Sequence, residues 1–140
     1  MPIARAFEPP DVSNPPFKLG VDCVVDLPMP PSVNRIWRRL QSRVVLAPAY
    51  DRWKRQADLC AIADRDWRSK PRMADAFKAL ILLDRARRAG DVDNRVKAVL
   101  DWAQSRELIK NDKLCEEITA RWVATVEAPK GCRLILRAVA

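Results

Sequence analysis

The chain has 140 residues, of which 49% are hydrophobic and 31% charged, enough for one domain with one core. Lys and Arg number 26 against 18 Asp and Glu, and the net charge of +8 points to a polyanionic partner, nucleic acid before membrane. Histidine is absent, which excludes Ser-His-Asp and Cys-His catalysis and any histidine metal cluster. Hydrolytic chemistry must then rest on carboxylate, lysine, cysteine or tyrosine, and hard oxygen ligands favour magnesium or manganese. No apolar run is long enough to span a bilayer. The opening MPIARAFEPPDVSNPPFK lacks the apolar centre of a signal peptide. Cys23, Cys60, Cys115 and Cys132 form no CxxC pair, so they read as reduced, small core residues of a cytoplasmic protein.

Residues 1–17 hold five of the eleven prolines and read as an arm or extended strap, with the folded domain over 18–140. LGVDCVVDL, residues 19–27, is valine-rich and predicts a strand that stops at Pro28-Met29-Pro30-Pro31. SVNRIWRRLQSRVV reads as a basic loop. Residues 49–66 show helical spacing, with Tyr50, Trp53, Ala57, Cys60 and Ala61 on one face. AFKALILLDR, residues 76–85, predicts a strand covered on both sides, Phe77, Ala79, Ile81 and Leu83 against Leu80 and Leu82. A second helix runs from about Asp93 to Ser105, with Val96, Val99, Leu100 and Ala103 as its apolar stripe. LCEEITARWVAT predicts a strand over 114–125. CRLILRAV, after Pro129-Lys130-Gly131, predicts a last strand paired to it in a hairpin. The order β-α-β-α-β-β implies an α+β single domain, one mixed sheet with helices packed on it.

The chemistry concentrates in AGDVDNRVKAVLDW, residues 89–102. One aspartate at a helix start is a good cap. Asp91 and Asp93 together, after Gly90 and an arginine cluster, suit either a cap or a metal site beside a strand exit. An EF-hand fails, because its glycine position is Val96 and its closing glutamate is Trp102. Lys97 stands one turn after Asp93, in reach of an i,i+4 ion pair or of a phosphate held by the carboxylates. A third acid would complete a cation site. Asp112, in the turn before the next strand, is a candidate, as are Glu116 and Glu117, which a strand sends to opposite faces.

Basic residues flank these acids. Asn34, Arg35, Trp37, Arg38, Arg39 and Arg43 offer phosphate-binding forks around an indole that can stack on a base, or else a solvated loop with Trp37 in the core. Arg85, Arg87 and Arg88 would offset the repulsion between the aspartates and a phosphate. Trp53, Trp102 and Trp122 read as core, with Trp67 the one further candidate for stacking.

GDVDNRVKAVLDW followed by IKNDKLCEEI closely resembles the signature of RusA-type Holliday junction resolvases. That pattern is D-x-D-N-x-x-K-x-x-x-D and then an aspartate at the turn before the next strand. Asp91, Asp93, Asn94, Lys97, Asp101 and Asp112 match in spacing, and PPSVNR, residues 30–35, resembles the family's P-P-S-x-N-R segment. The resemblance covers about residues 19–139. One departure is Asn111, where the family usually has a second aspartate. The resemblance implies a homodimeric, magnesium-dependent endonuclease, with manganese as a substitute, that resolves four-way DNA junctions by paired phosphodiester hydrolysis. Asp91, Asp93 and Asp112 would hold the metal and Lys97 would assist catalysis. The alternatives are a non-catalytic DNA-binding module on the same fold and a structural protein whose DVDN only caps a helix.

Overall fold

A computed structural model of the chain describes residues 22–31, 37–40, 43–46, 48–88, 90, 92 and 95–139. The proline-rich arm lies outside the described residues. In chain order the elements are β1 (Asp22–Pro28), β2 (Trp37–Leu40), β3 (Arg43–Leu46), α1 (Pro48–Ala63), β4 (Phe77–Asp84), α2 (Val96–Ser105), β5 (Cys115–Val123) and β6 (Gly131–Ala138). One mixed sheet runs β1-β6-β4-β5, and β2 and β3 form a separate two-stranded ribbon. The architecture is the expected α+β domain.

β4 has the sequence FKALILLD, in which every second residue serves a different core. Phe77, Ala79, Ile81 and Leu83 join the main core, which also contains Tyr50, Trp53, Ala57 and Ala61 of α1 and Ala98, Val99, Leu100, Trp102 and Ala103 of α2. Leu80 and Leu82 join a smaller core on the opposite face with Val123, Ala128 and Ile135. A strand apolar on both faces is stable only with neighbours on both edges and cover above and below. β4 accordingly pairs in parallel with β5 and antiparallel with β6.

That central position corrects the predicted hairpin between the last two strands. β6 is not β5's neighbour but sits between β1 and β4. CRLILR buries Cys132, Leu134, Ile135 and Leu136, a pattern that suits an inner strand. β5 alternates, with Glu116, Ile118 and Arg121 exposed, and suits the flank. The basic loop is corrected as well. Trp37, Arg38, Arg39 and Leu40 pair antiparallel with Leu46, Val45, Val44 and Arg43. The sequence between the two strands, Gln41-Ser42, lacks the Asn-Gly or Gly-X signal that would announce a hairpin.

Cross-strand ion pairs close the β1–β6 edge. Arg137 and Asp22 face each other in register, as do Arg133 and Asp26. Both are two-pronged, with Nε to Oδ1 at 2.8 Å in each case, the geometry that suits a guanidinium to a carboxylate. The Asp22 hydrogen bond raises the Arg137 pKa further. All four cysteines are free. Burial pushes the Cys23 thiol up to about 11 and raises Cys132 as well, as fits small core residues. Among the described residues no helix is long and apolar enough to cross a membrane.

α2 ends in a tight left-handed reversal. Leu108 N–H donates to Ala103 O and Glu107 N–H to Gln104 O, a pairing that normally places glycine at the left-handed position. Here that residue is Glu107, at φ 63°. The conformation costs a side-chain-bearing residue roughly 1–2 kcal/mol, and glycine gives back part of this through its looser unfolded state. Glu107→Gly is expected to stabilise the fold by about 0.5–1 kcal/mol, read as a higher urea midpoint at an unchanged m-value.

Candidate active site

Two sequence segments meet at one end of the sheet. β1 and β4 both end there, because β6 pairs antiparallel to each. Arg95, in the turn entering α2, is buried and donates from Nη1 to Pro30 O, just beyond β1. Trp53 Nε1 of α1 donates to Pro28 O at 2.9 Å. Pro30, where the PPSVNR segment begins, and the start of α2 are thus tied together through a main-chain carbonyl. Arg95 N–H also closes a turn on Val92 O. Gly90 has φ 72° with no atom within 4 Å of a would-be Cβ. Glycine is there for backbone conformation, not for lack of space. Asp91, Asp93 and Asn94 lie outside the described residues, as do Asn34 and Arg35.

Lys97 occupies the first turn of α2 and is half exposed. Its ammonium pairs with Asp101 Oδ2 at 3.5 Å. Lysine preceding the acid by four is the weaker orientation on a helix, worth at most about 0.3–0.5 kcal/mol. Asp101 also acts on Tyr50 of α1: burial raises the tyrosine pKa and the nearby carboxylate pushes it the same way.

Asp112 begins the short 3-10 turn Asp112–Leu114 that leads into β5. Its backbone N–H donates to Gln104 Oε1 of α2 at 2.9 Å. Asn111 Oδ1 accepts from Lys113 N–H, also at 2.9 Å. Asparagine caps such a turn as well as aspartate does, so the departure at Asn111 leaves the geometry of Asp112 intact. The Asp112 carboxylate makes no ion pair among the described residues.

Lys97 and Asp112 therefore address the same helix at different heights. Gln104 lies seven residues beyond Lys97, about 10 Å of helical rise, and the tilt of Lys97 toward Asp101 shortens that gap. Lys97, Asp101 and Gln104 form one polar stripe that runs from the start of α2 to the Asp112 turn. Glu116 is exposed and Glu117 half-buried on β5, the alternation expected of a strand. Among the described residues no three Asp, Glu, Cys or His groups gather as a cation site.

The arginines after β4 are exposed but occupied. Arg85 Nη2 donates to Trp122 O at 3.3 Å, and Arg88 lies over the Trp122 ring at 5.6 Å. Arg87 approaches Asp84 Oδ2 at 3.5 Å and Lys130 O at 3.3 Å. Asp84 is buried, and its Oδ1 accepts from Ala86 N–H and from the Thr125 hydroxyl. It is a structural acid at the strand end, absent from the sequence reading. Trp37, Arg38 and Arg39 lie on β2 and Arg43 on β3. Trp53 and Trp102 are core as expected, and Trp122 is half-buried. Trp67 packs at 5.9 Å against the Trp102 ring while Arg72 lies 5.0 Å over it, which leaves it poorly placed to stack a base.

The protein is thus a basic α+β domain in which the turn entering α2 is tied to the exit of the first strand. The family described as Endodeoxyribonuclease RusA matches residues 28–131, well over half of the chain, and the chain belongs to that family. It is an endodeoxyribonuclease, a hydrolase acting on DNA, of the RusA-type Holliday junction resolvases. No curated protein matches it.

α1 and α2 are held side by side by Asp58. Trp102 Nε1 donates to Asp58 Oδ1 at 2.9 Å, and Arg106 approaches the same oxygen at 3.7 Å. Trp102 is buried, so Asp58→Ala would leave its N–H without an acceptor. The expected loss is about 1–3 kcal/mol, measured by chemical denaturation. Asp58→Asn keeps an acceptor and is expected to lose well under half as much.

Proposed function

We propose that this endodeoxyribonuclease resolves four-way DNA junctions by paired, divalent-cation-dependent cuts, acting as a two-fold dimer. Asp91, Asp93 and Asp112 hold the cation, and Lys97 assists the chemistry. Family membership over residues 28–131 carries the reading. The donor chemistry fits a hard cation. The chain has no histidine. Burial raises the Cys23, Cys115 and Cys132 thiols, which makes them poor thiolate ligands. Carboxylate oxygens remain, the ligands that magnesium and manganese prefer.

A bound cation of this kind supplies Lewis acidity at a phosphoryl oxygen and lowers the pKa of a coordinated water. The protein's own residues do the rest. The aspartates concentrate negative charge where the cation must sit. Gln104 fixes the backbone of Asp112, so that its carboxylate does not drift. Lys97, whose ion pair among the described residues is the weak one with Asp101, can move its ammonium onto phosphoryl oxygens as negative charge grows there. Arg38, Arg39 and Arg43 bring guanidinium groups to the phosphate backbone, and Asn34, Arg35 and Trp37 flank them. Arg85, Arg87 and Arg88 offset repulsion between the acids and the strand to be cut. Two equivalent strands of a junction call for two sites related by symmetry.

Asp93→Asn is expected to abolish cleavage while binding a junction in chelator at least as tightly as the parent. The amide still caps a helix, and one negative charge facing the phosphate is gone. Asp91→Asn and Asp112→Asn should behave alike, whereas Lys97→Met should lose rate while still binding metal. Gln104→Leu should cut more slowly at unchanged junction affinity, and Gln104→Glu, which keeps an oxygen acceptor, should recover much of the rate. A gel shift in chelator beside a cleavage time course in magnesium reads all of these. Folded Asp93→Asn protein cutting at near-parental rate would return DVDN to the role of a helix cap. Sedimentation showing only monomer at micromolar protein, with and without junction, would remove the dimer.

A further inference from the structure

A second basic surface lies at the far end of α2, away from the arginines of the β4 exit. Two depressions of about 410 and 450 Å³ adjoin there, and Arg72 and Glu107 line both. The second is also lined by Gln104 and Lys110. Gln104 is the residue that holds the Asp112 backbone, so this groove borders the support of the Asp112 turn. Its floor is rigid. Met73 pairs with Ile109 in a parallel bridge, Met73 N–H donates to Leu108 O at 2.8 Å, and Lys110 N–H donates to Met73 O at 2.9 Å. Met73 and Ile109 are buried.

The cations on this floor are preorganised and unneutralised. The Arg72 guanidinium lies over the Trp67 ring, 5.0 Å from its centroid, and donates from Nη2 to Trp67 O at 3.3 Å. That leaves donors of a planar fork pointing away from the indole. Neither Arg72 nor Lys110 forms an ion pair with a carboxylate among the described residues. Both are exposed. Arg106, beside them, already faces Asp58. Glu107, the one acid lining both depressions, makes no ion pair among the described residues either, and it stands at a strained left-handed position. A carboxylate there opposes any anion in the groove.

We infer that this groove carries one phosphodiester strand of the DNA toward Asp112, with Arg72 and Lys110 each meeting a phosphate and Glu107 holding the affinity down. The inference rests on the junction-nuclease reading and adds a binding track to it. Arg72 is set by its stacking on Trp67, so its donors are in place before the strand arrives, and little side-chain freedom is lost on binding. Lys110 adds a point charge on the same stitched backbone. A strand lying here would pass within reach of the Asp112 turn, while the opposite end of α2 presents Lys97.

The test is the affinity of a synthetic four-way junction, measured in chelator over a range of salt, for the parent, Arg72→Ala, Lys110→Ala, the double variant and Glu107→Gln. Each lost cation is expected to make the slope of log K against log salt shallower by about one unit, and the double variant by about two. Glu107→Gln should bind more tightly than the parent. Arg72→Ala removes a brace from Trp67 and could lower stability, but Lys110 has no side-chain partner among the described residues, so Lys110→Ala gives a reading free of that effect. If Lys110→Ala and a folded double variant keep the parental slope, the groove assignment is overturned while the nuclease reading stands. If the parent itself shows no affinity for the junction, the function falls and the groove with it.

Discussion

The parallel pairing of β4 with β5 is the constraint from which the site follows. Parallel neighbours cannot be joined by a tight turn, so the chain must cross back over the sheet, and α2 is that crossing. Its entry is fixed at the exit of β4 and its end at the entry to β5. Lys97 consequently lies in the first turn of the helix, and the Asp112 backbone is held by Gln104 in its last turn. The polar stripe Lys97–Asp101–Gln104 joins them along its exposed side. The double-sided burial of β4 holds this arrangement in place, because Leu80 and Leu82 on one face and Phe77, Ala79, Ile81 and Leu83 on the other leave the strand no alternative register without exposing one set.

Charge is distributed by the same logic. Asp22 and Asp26 meet arginines across the sheet edge, Asp84 caps a turn, and Asp58 receives an indole N–H. Each of these acids has structural work that would be lost if it turned toward a cation. Asp112 has its backbone held and its carboxylate without an ion pair among the described residues, which is the arrangement expected of a group kept for a ligand. Near it Arg72 and Lys110, which form no ion pair among the described residues, add exposed positive charge. A chain of net charge +8 is drawn to DNA from every side, so local geometry, not overall charge, must select the strand that reaches the acids.

Much of this was legible before any coordinates. The apolar spacing of Tyr50, Trp53, Ala57 and Ala61 gave a helix face, and the two-sided pattern of β4 marked a central strand, because both depend on local periodicity. The motif around Asp91, Asp93 and Lys97 with a late Asp112 was enough to suggest the family. Strand neighbours were not legible. β5 and β6 follow each other in sequence, and only the demand of β4 for a second partner drives β6 between β1 and β4. The β2–β3 ribbon lacked a turn signature. Gln104 and Arg72 carried no signal of their own, since a glutamine late in a helix and an arginine after a proline are ordinary. Gln104 does continue the Lys97–Asp101 stripe at helical spacing, and following that stripe to its end would have pointed to Asp112.

The central claim is that the carboxylates of this domain serve phosphodiester hydrolysis at a DNA junction. Its most direct test is to incubate the purified chain with a labelled four-way junction and with a linear duplex of the same arms, in magnesium and in chelator, and to map the cuts on all four strands. The account predicts cation-dependent incision of the junction on two symmetrically related strands, giving ligatable nicked duplexes, with the linear duplex left largely intact. Equal cutting of duplex and junction, or junction cutting undiminished in chelator, would contradict it.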